Sequence, residues 1–303
     1  MSLLSDVVLT YLSRQSHAGA GPSTDGTQPP PHPAPSPSME RALESRILPL
    51  LPGLLEERGS DLMPLNALKI FVALMDAGGR WLPAVQSLGV VPRFFAFLSL
   101  DSPNNNVHNL RICRALVVGG ALSLPDAARL SVASRVHAVL SYAHDNAVEP
   151  FLEPVLDLCC SLLERDQHAR HADAPGAGAS TALLDSLPVV VDLLRHPDGG
   201  VGALASEALS FLCDMHPREC GAVLLAADYA DAIAECLQPG DGGFAPVPAV
   251  QEGILRALVR TRTRALMSWL VACVSRHTAE ACPASQSPIV TRPIAPFSAD
   301  NIA

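Results

Sequence analysis

The sequence predicts an all-α fold made of repeated helical layers, on three observations. Apolar residues make up 49% of the 303 residues and aromatic residues only 4%, and Ala and Leu dominate, which favours helices over strands. The long apolar segments have helical spacing rather than strict alternation. One arrangement also recurs: an opening proline or polar residue, a short apolar helix, a turn rich in Gly, Pro, Asn or Asp, and a longer helix.

The recurring arrangement has a measurable period. The openings are Pro49, Pro92, His137, Pro188 and Asp231, of which the third is the weakest copy. The longer helices carry the pairs Ala73-Leu74, Ala115-Leu116, Ala208-Leu209 and Ala257-Leu258. Successive openings lie 43, 45, 51 and 43 residues apart, close to the period of about 40–47 residues in armadillo and HEAT repeats. Because one layer cannot bury its apolar face alone, we predict a stacked armadillo/HEAT-like solenoid of about five layers. The alternative is a compact, non-repetitive helical domain.

Four segments are predicted along the chain. Residues 1–15 contain a short amphipathic helix, and residues 16–38, rich in proline, form a disordered linker. Its PPPHPAP run could instead dock in an aromatic groove as a polyproline helix. The solenoid spans residues 39–279, with a surface insertion at 171–181, and residues 280–303 form a flexible tail.

The net charge and the lack of a leader sequence limit the partners and the compartment that we expect for the protein. A net charge of -9 argues against nucleic acid as a partner. The N-terminus has no basic leader, and no apolar run approaches the roughly 18–20 residues that cross a bilayer. The eight cysteines form no C-x-x-C pair, which indicates buried thiols in a reducing compartment. We therefore expect a soluble, cytoplasmic protein without a membrane partner.

Two motifs are candidates for chemical sites. Residues 198–206, DGGVGALAS, place glycines before a helix, where a phosphate could bind, but the strand and lysine of a P-loop are missing. His168 and His171 in DQHARHAD could ligate a metal with Asp166, yet the segment leads into a Gly/Ala loop that would hold ligands poorly. An inter-helix turn and an exposed polar helix end are the favoured interpretations. Without a G-x-S-x-G elbow or an activated cysteine, we predict no enzyme activity, metal or cofactor.

A basic stripe near the C-terminus is the candidate partner-binding site. Its members are Arg256, Arg260, Arg262 and Arg264, and no acidic residue lies between Glu252 and Glu280. Residues four apart share a helix face, so three of these arginines would align. One interpretation is a solvated face that caps the last layer. The other is a dock for an acidic segment of a partner protein.

Part of the chain resembles a known family. Residues 63–98, MPLNALKIFVALMDAGGRWLPAVQSLGVVPRFFAFL, and the later ASEALSFL resemble the helical repeats that follow the kinase domain in the family of Unc-51-like fourth-member, Runkel and Fused-type kinases. The resemblance implies repeats that mediate protein contacts, in a cilium or a microtubule-associated structure. The chain lacks the V-A-I-K, H-R-D and D-F-G motifs of the kinase part, so kinase activity is not carried over.

The resulting functional prediction is a non-catalytic protein–protein interaction scaffold, in a ciliary or microtubule-associated complex, whose partners include a kinase or microtubule-associated proteins. The alternative is the regulatory repeat fragment of a split or incompletely read kinase or pseudokinase gene; an enzyme of unknown type comes third. Armadillo grooves typically hold extended peptides with asparagines on the third helix. Here the asparagines at 104–106 and Asn109 lie in or just after a turn, which favours docking through side chains over capture of a peptide backbone.

Overall fold

The computed structural model describes residues 6–12, 37–56, 62–172, 178–237, 247–261, 268–269 and 271. These residues form helices joined by turns, and the described part of the chain contains no strand. The all-α prediction is confirmed. Most of the predicted linker, the predicted tail, and Arg262 and Arg264 of the basic stripe lie outside the described residues.

The first layer follows a separate N-terminal helix. Helix α1 spans residues 6–12. Helix α2, Pro37–Ala42, continues through a π-helical turn, Leu43–Ile47, and a 3-10 turn, Leu48–Leu50, into α3, Leu51–Leu54. The long helix of this layer is α4, Leu62–Asp76.

Four further layers of three helices follow. The second contains α5, Leu82–Ser87, preceded by a 3-10 turn, Gly79–Trp81, then α6, Val91–Ala96, and α7, Val107–Val118. The third contains α8, Leu124–Arg129, α9, Val132–Asp145, and α10, Glu149–His171. The fourth contains α11, Ala179–Leu183, with a 3-10 turn, Leu184–Ser186, then α12, Leu187–Leu193, and α13, Gly199–Met215. The fifth contains α14, Pro217–Leu224, α15, Ala227–Leu237, and α16, Pro248–Thr261.

The opening prolines act as the sequence predicts. Pro92 and Pro188 lie in the first turns of α6 and α12, where a missing N–H leaves no hydrogen bond unmade. The leucines six residues later, Leu98 and Leu194, are each 1% exposed. Each short second helix therefore begins at its proline and ends by burying its leucine.

The long third helices form the spine of the solenoid. Helices α4, α7, α10, α13 and α16 pack against one another in chain order, and their first residues recur every 40 to 50 residues or so. The Ala-Leu pairs of α13 and α16 are fully buried. At the α13–α16 contact the backbone of Gly253 lies directly against Ser206. Small residues here let the helices approach closely enough to bury both apolar faces.

Two predicted boundaries in the third and fourth layers are wrong. His137, the predicted opening of the third layer, lies inside α9, which begins at Val132 after Ser131 adopts a left-handed backbone at φ 52°. The predicted insertion at 171–181 is shorter, because α10 extends to His171 and α11 begins at Ala179. Neither helix start carries a proline, the signal that marks the openings at Pro92 and Pro188. The predicted opening of the fifth layer at Asp231 is also wrong, because α15 begins four residues earlier, at Ala227.

Helix α1 packs against the solenoid. Val8 and Leu12, four residues apart and thus on one face, are both fully buried within the main core, and Tyr11 is partly buried against it. Val7, on the other side, is 48% exposed. The amphipathic pattern seen in the sequence thus corresponds to a helix that covers apolar surface.

The described cysteines are buried thiols, namely Cys113, Cys159, Cys160, Cys213, Cys220 and Cys236. Burial raises the pKa of Cys159 to about 12 and that of Cys113 above its usual range, so both stay protonated and unreactive at neutral pH.

None of the helices in the described ranges is by itself long and apolar enough to span a membrane. The segments Leu62–Asp76 and Gly79–Ser87 meet the length and composition requirement only as a pair, bent by 118°.

Replacing Gly253 with alanine is expected to lower the free energy of unfolding by about 1–3 kcal/mol, as when an extra carbon is forced into a packed contact. The added Cβ would lie 2.6 Å from Cβ of Ser206 and closer still to its hydroxyl. Gly53→Ala is the matched control, because its Cβ would have no heavy atom within 4 Å; it should raise stability by about 0.5–1 kcal/mol. Urea unfolding measures both, and equal effects would contradict the close helix contact.

Truncating Leu12 to alanine is expected to cost about 2–4 kcal/mol, because a fully buried leucine leaves a cavity when shortened. Val7→Ala on the exposed side of the same helix should change stability by less than about 0.5 kcal/mol. Thermal and urea unfolding compare the two variants. A Leu12→Ala protein as stable as the Val7→Ala protein would show that α1 is not packed on the solenoid in solution.

Candidate interaction surface on the third helices

The third helices present one shared surface, which we call the third-helix face. It consists of the side chains that α4, α7, α10, α13 and α16 leave uncovered by neighbouring helices. On α7 and α13 these side chains recur at the helical period around the Ala-Leu pair: Arg114 and Val118 on one helix, Glu207 and Phe211 on the other. Of these, Arg114, Val118 and Glu207 are exposed and Phe211 is half-buried.

The charge of the third-helix face changes sign along the solenoid. In the first two layers it is cationic, with Lys69, Arg111 and Arg114. In the third and fourth layers it is acidic, with Glu153, Asp157 and Glu164 on α10 and Glu207 and Asp214 on α13. The fifth layer carries both signs, with Glu252, Arg256 and Arg260. The face is therefore not a uniform patch.

Polar bridges connect neighbouring third helices. Arg114 Nε lies 2.8 Å from Asp157 Oδ2, joining α7 to α10, and Gln167 Nε2 donates to Asp214 Oδ2 at 2.5 Å, joining α10 to α13. These side chains are partly exposed, so each bridge contributes about 1 kcal/mol or less. Among the described residues, Glu153, Glu164 and Glu207 take part in no ion pair.

The described arginines of the basic stripe already face carboxylates. Arg256 Nη2 is 2.7 Å from Glu252 Oε1 on the same helix. Arg260 Nε is 3.8 Å from Asp214 Oδ1, and its Nη1 donates to the carbonyl of Ser210 at 3.5 Å. The structure thus supports the alignment of these two residues on one helix face. Binding of an acidic partner by the stripe stays a prediction.

Three of the four asparagines in and just after the turn before α7 have structural partners, whereas Asn105 Oδ1 is buried without one. Asn106 caps α7 by accepting hydrogen bonds from the backbone N–H groups of His108 and Asn109 at 3.0 and 3.1 Å. The buried Asn109 side chain donates to the carbonyl of Phe94 at 3.0 Å, and Asn104 donates to the carbonyl of Leu55. Asn106 and Asn109 thus fix the start of α7 and its contact with α6 within the second layer, and Asn104 links that layer to the first. Docking of a partner through side chains instead of backbone capture stays a prediction.

A cavity of about 310 Å³ opens at the cationic end of the third-helix face. We call it the first-layer pocket; it is lined by Leu9, Lys69, Val72, Ala73, Asp76, His108 and Arg111. Helix α4 supplies four of these residues, α7 supplies two and α1 supplies one. Burial, and then the charges of Lys69 and Arg111, lower the pKa of His108. The imidazole Nδ1 is buried without a hydrogen-bond partner.

The residues of the histidine motif at the end of α10 differ in burial. His168 and His171 are exposed, whereas Asp166 is fully buried, so the expected exposed helix end is wrong for this residue. Asp166 accepts hydrogen bonds from the backbone N–H groups of Gly178 at 2.6 Å and Ser180 at 3.0 Å. No group of three metal-binding side chains occurs in the ranges that the structure describes. Asp166 instead anchors the start of α11.

The surroundings of Asp166 explain its ionisation. Burial alone would raise the pKa of this carboxyl, but hydrogen bonds from Ser180 and Gly178 and the charge of Arg170 outweigh burial and lower it. Ser180 also contacts His216 Nε2 at 3.0 Å and accepts a hydrogen bond from Arg170 at 2.8 Å. Although this places Ser, His and Asp together, the fully buried Ser180 has no access to a substrate. The cluster is structural.

Comparison with solved structures defines the class of protein, an armadillo-repeat solenoid. A designed armadillo repeat protein is 14% identical, with a TM-score of 0.58 over 86% of this chain and 94% of that chain. A second one, solved in complex with the peptide (KR)4, gives 14% identity and a TM-score of 0.56, covering 84% of this chain and 91% of that chain. At such identities the likeness concerns the fold alone.

Sequence comparison identifies a more specific relative of the repeats. Residues 89–185 match the model of the RUNKEL ARM-repeat domain. The chain is 29% identical over 130 residues to the serine/threonine-protein kinase RUNKEL of Arabidopsis thaliana, a match that covers 43% of this chain and 9% of that protein. The predicted resemblance to the Runkel repeats is confirmed, whereas the wider relation to Fused-type and Unc-51-like kinases stays a prediction. The matched region is a repeat domain rather than a kinase domain.

Changing Asp166 to alanine is expected to destabilise the chain by about 2–4 kcal/mol, because buried N–H donors lose their acceptor. The lowered pKa means that the stabilisation is present above about pH 4, the unfolded value, and is lost as pH falls through the folded pKa. Urea unfolding at neutral and acidic pH should show the difference narrowing in acid. The control is Asp185→Ala at an exposed carboxylate, and an equal loss in both variants would contradict the anchoring role.

Proposed function

We propose that this chain is a non-catalytic protein–protein interaction scaffold whose third-helix face binds an extended segment of a partner protein. The observation that carries the proposal is the set of unpaired charges on that face. Glu153, Glu164 and Glu207 are exposed without an ion-pair partner in the described structure. The half-buried Phe211 lies one helical turn after Glu207, on the same side of α13. The peptide complex of a designed armadillo protein supports this use of the fold.

The proposed binding combines modest contributions from several layers. Exposed carboxylates attract basic side chains mainly by speeding encounter and fixing the register. An aromatic ring such as Phe211 supplies apolar area at a small entropic cost, as in the central residues of protein interfaces. Because neighbouring layers are bridged at Arg114–Asp157 and Gln167–Asp214, the face is held in shape before a partner arrives, which reduces the ordering cost of binding.

The partner's charges would follow those of the face. Basic side chains fit the third and fourth layers, and acidic segments fit the first two layers and the basic stripe around Arg256 and Arg260. Setting and localisation remain proposals that rest on the family resemblance: a cytoplasmic, ciliary or microtubule-associated complex. No nucleic-acid or membrane partner is proposed.

A second candidate function is favoured by the sequence relative. Because the repeats match those of a serine/threonine-protein kinase, the chain could be the regulatory repeat region of a kinase or pseudokinase. It would then position or restrain the kinase part instead of assembling an independent complex. Reading the genomic sequence upstream of the codon for Met1 tests this, since a kinase domain in frame would favour the regulatory role.

A random 12-residue peptide-display library, panned against the intact chain, should yield peptides whose binding depends on the third-helix face. For these peptides, Phe211→Ala and Glu207→Lys are each expected to raise the Kd by about tenfold, the loss of affinity typical of one central contact. Glu219→Lys, the same charge reversal on the exposed surface of α14, is the matched control. Fluorescence anisotropy measures the affinities. Peptides that lose affinity equally in all three variants would overturn the assignment of this face.

A further inference from the structure

We propose that the first-layer pocket binds the phosphoryl group of a phosphoserine or phosphothreonine in the bound partner segment. The pocket brings together two permanent cations, Lys69 of α4 and Arg111 of α7, with the imidazole of His108. This proposal deepens the function above, because it names one side chain of the peptide that the third-helix face would hold.

The cations of the pocket lack the partners that their neighbours have. One turn further along α7, Arg114 pairs with Asp157 at 2.8 Å. Within the described part of the chain, neither Lys69 nor Arg111 lies in an ion pair, and the pocket's own carboxylate, Asp76, is not within pairing distance of either. Like charges held close together without a counter-ion destabilise one another, and an anion would remove that cost.

The walls of the pocket favour a bound anion over hydration. Leu9, Val72 and Ala73 form its apolar part, and the small side chain of Ala73, four residues after Lys69, lies on the same face of α4. An apolar wall lowers the local dielectric constant and so strengthens the attraction between the cations and a ligand. The volume of about 310 Å³ accommodates the end of a side chain together with a few waters.

The number of donors selects a phosphoryl group over a carboxylate. Lysine, arginine and histidine present three separate donor groups, and a phosphoryl group presents three acceptor oxygens and a charge of about -1.5 to -2 at pH 7. A carboxylate offers two oxygens and a single charge. The imidazole of His108 lines the pocket. Because its Nδ1 is buried, Nε2 is the ring nitrogen that can donate a hydrogen bond to the anion. Arg111 is the exposed member of the three and marks the entrance.

The chain offers a direct probe of this site, because Lys69 is its only lysine. Reductive methylation with labelled formaldehyde keeps the lysine charge and gives one side-chain NMR signal. We expect N-acetyl-O-phosphoserine amide to shift this signal saturably, with about tenfold weaker binding of N-acetylglutamate amide and no shift with N-acetylserine amide. Arg111→Gln should weaken phosphoserine binding by about tenfold, whereas Arg218→Gln, an exposed arginine on α14, should leave it unchanged.

The pH dependence provides a second readout. The charged side chains that line the pocket around His108 are Lys69 and Asp76 on α4 and Arg111 on α7. Helix α1 contributes only the apolar Leu9. A bound anion raises the pKa of His108, so binding takes up a proton and affinity should increase from pH 8 to about 6.5, above the second pKa of the phosphoryl group near 6. His108→Gln should abolish that increase.

Three results would overturn the proposal: a shift that does not saturate, a shift unaffected by Arg111→Gln, or equal affinity for the glutamate and phosphoserine compounds. None of them bears on the wider function, since peptides from the display library depend on Phe211 and Glu207 in the fourth layer. If library peptides bind and phosphoserine does not, the face is an interaction surface without a phosphoryl site. If phosphoserine binds and no library peptide depends on the fourth layer, the pocket stands and the wider function fails.

Discussion

The structure depends on how closely successive third helices approach one another. At the α13–α16 contact Gly253 meets Ser206, and Gly202 lies against Val250, so the two backbones are nearly as close as side-chain volume permits. This contact buries the apolar faces that no single layer can bury alone. It also fixes the relative height of the charged side chains on neighbouring helices, and therefore which of them can bridge and which remain unpaired.

Much of this fold could be predicted because the signals are local. A proline at a helix start and a leucine six residues later define the second helices at Pro92 and Pro188, and the period follows from counting. The third layer was misplaced because α9 begins after Ser131, whose left-handed backbone leaves no signature in a serine. The insertion was overestimated for a related reason: the N–H groups that start α11 are held by Asp166, about a dozen residues earlier.

The candidate surface was less predictable, because pairing is a property of the stacked layers. The sequence singled out arginines near the C-terminus for their lack of acidic neighbours along the chain. In three dimensions Arg260 faces Asp214 of the preceding layer, about one repeat earlier. Conversely, Lys69 and Arg111 lie on different layers and meet only after stacking. Aligning the repeats on their Ala-Leu pairs would have found them, since both residues lie four positions before the alanine.

The change of charge along the third-helix face gives the solenoid a direction. A surface of uniform charge attracts a complementary chain in either orientation, so shape complementarity alone must then select the orientation of the bound chain. A surface that is cationic at one end and acidic in its middle favours one orientation of the bound segment. In that orientation the acidic stretch of the partner lies at the cationic end and its basic stretch lies over the acidic middle. The reversed chain places like charges together. Such discrimination is long-ranged and weakens within a Debye length of about 8 Å in physiological salt, so orientation would be selected during encounter, before the apolar contacts close.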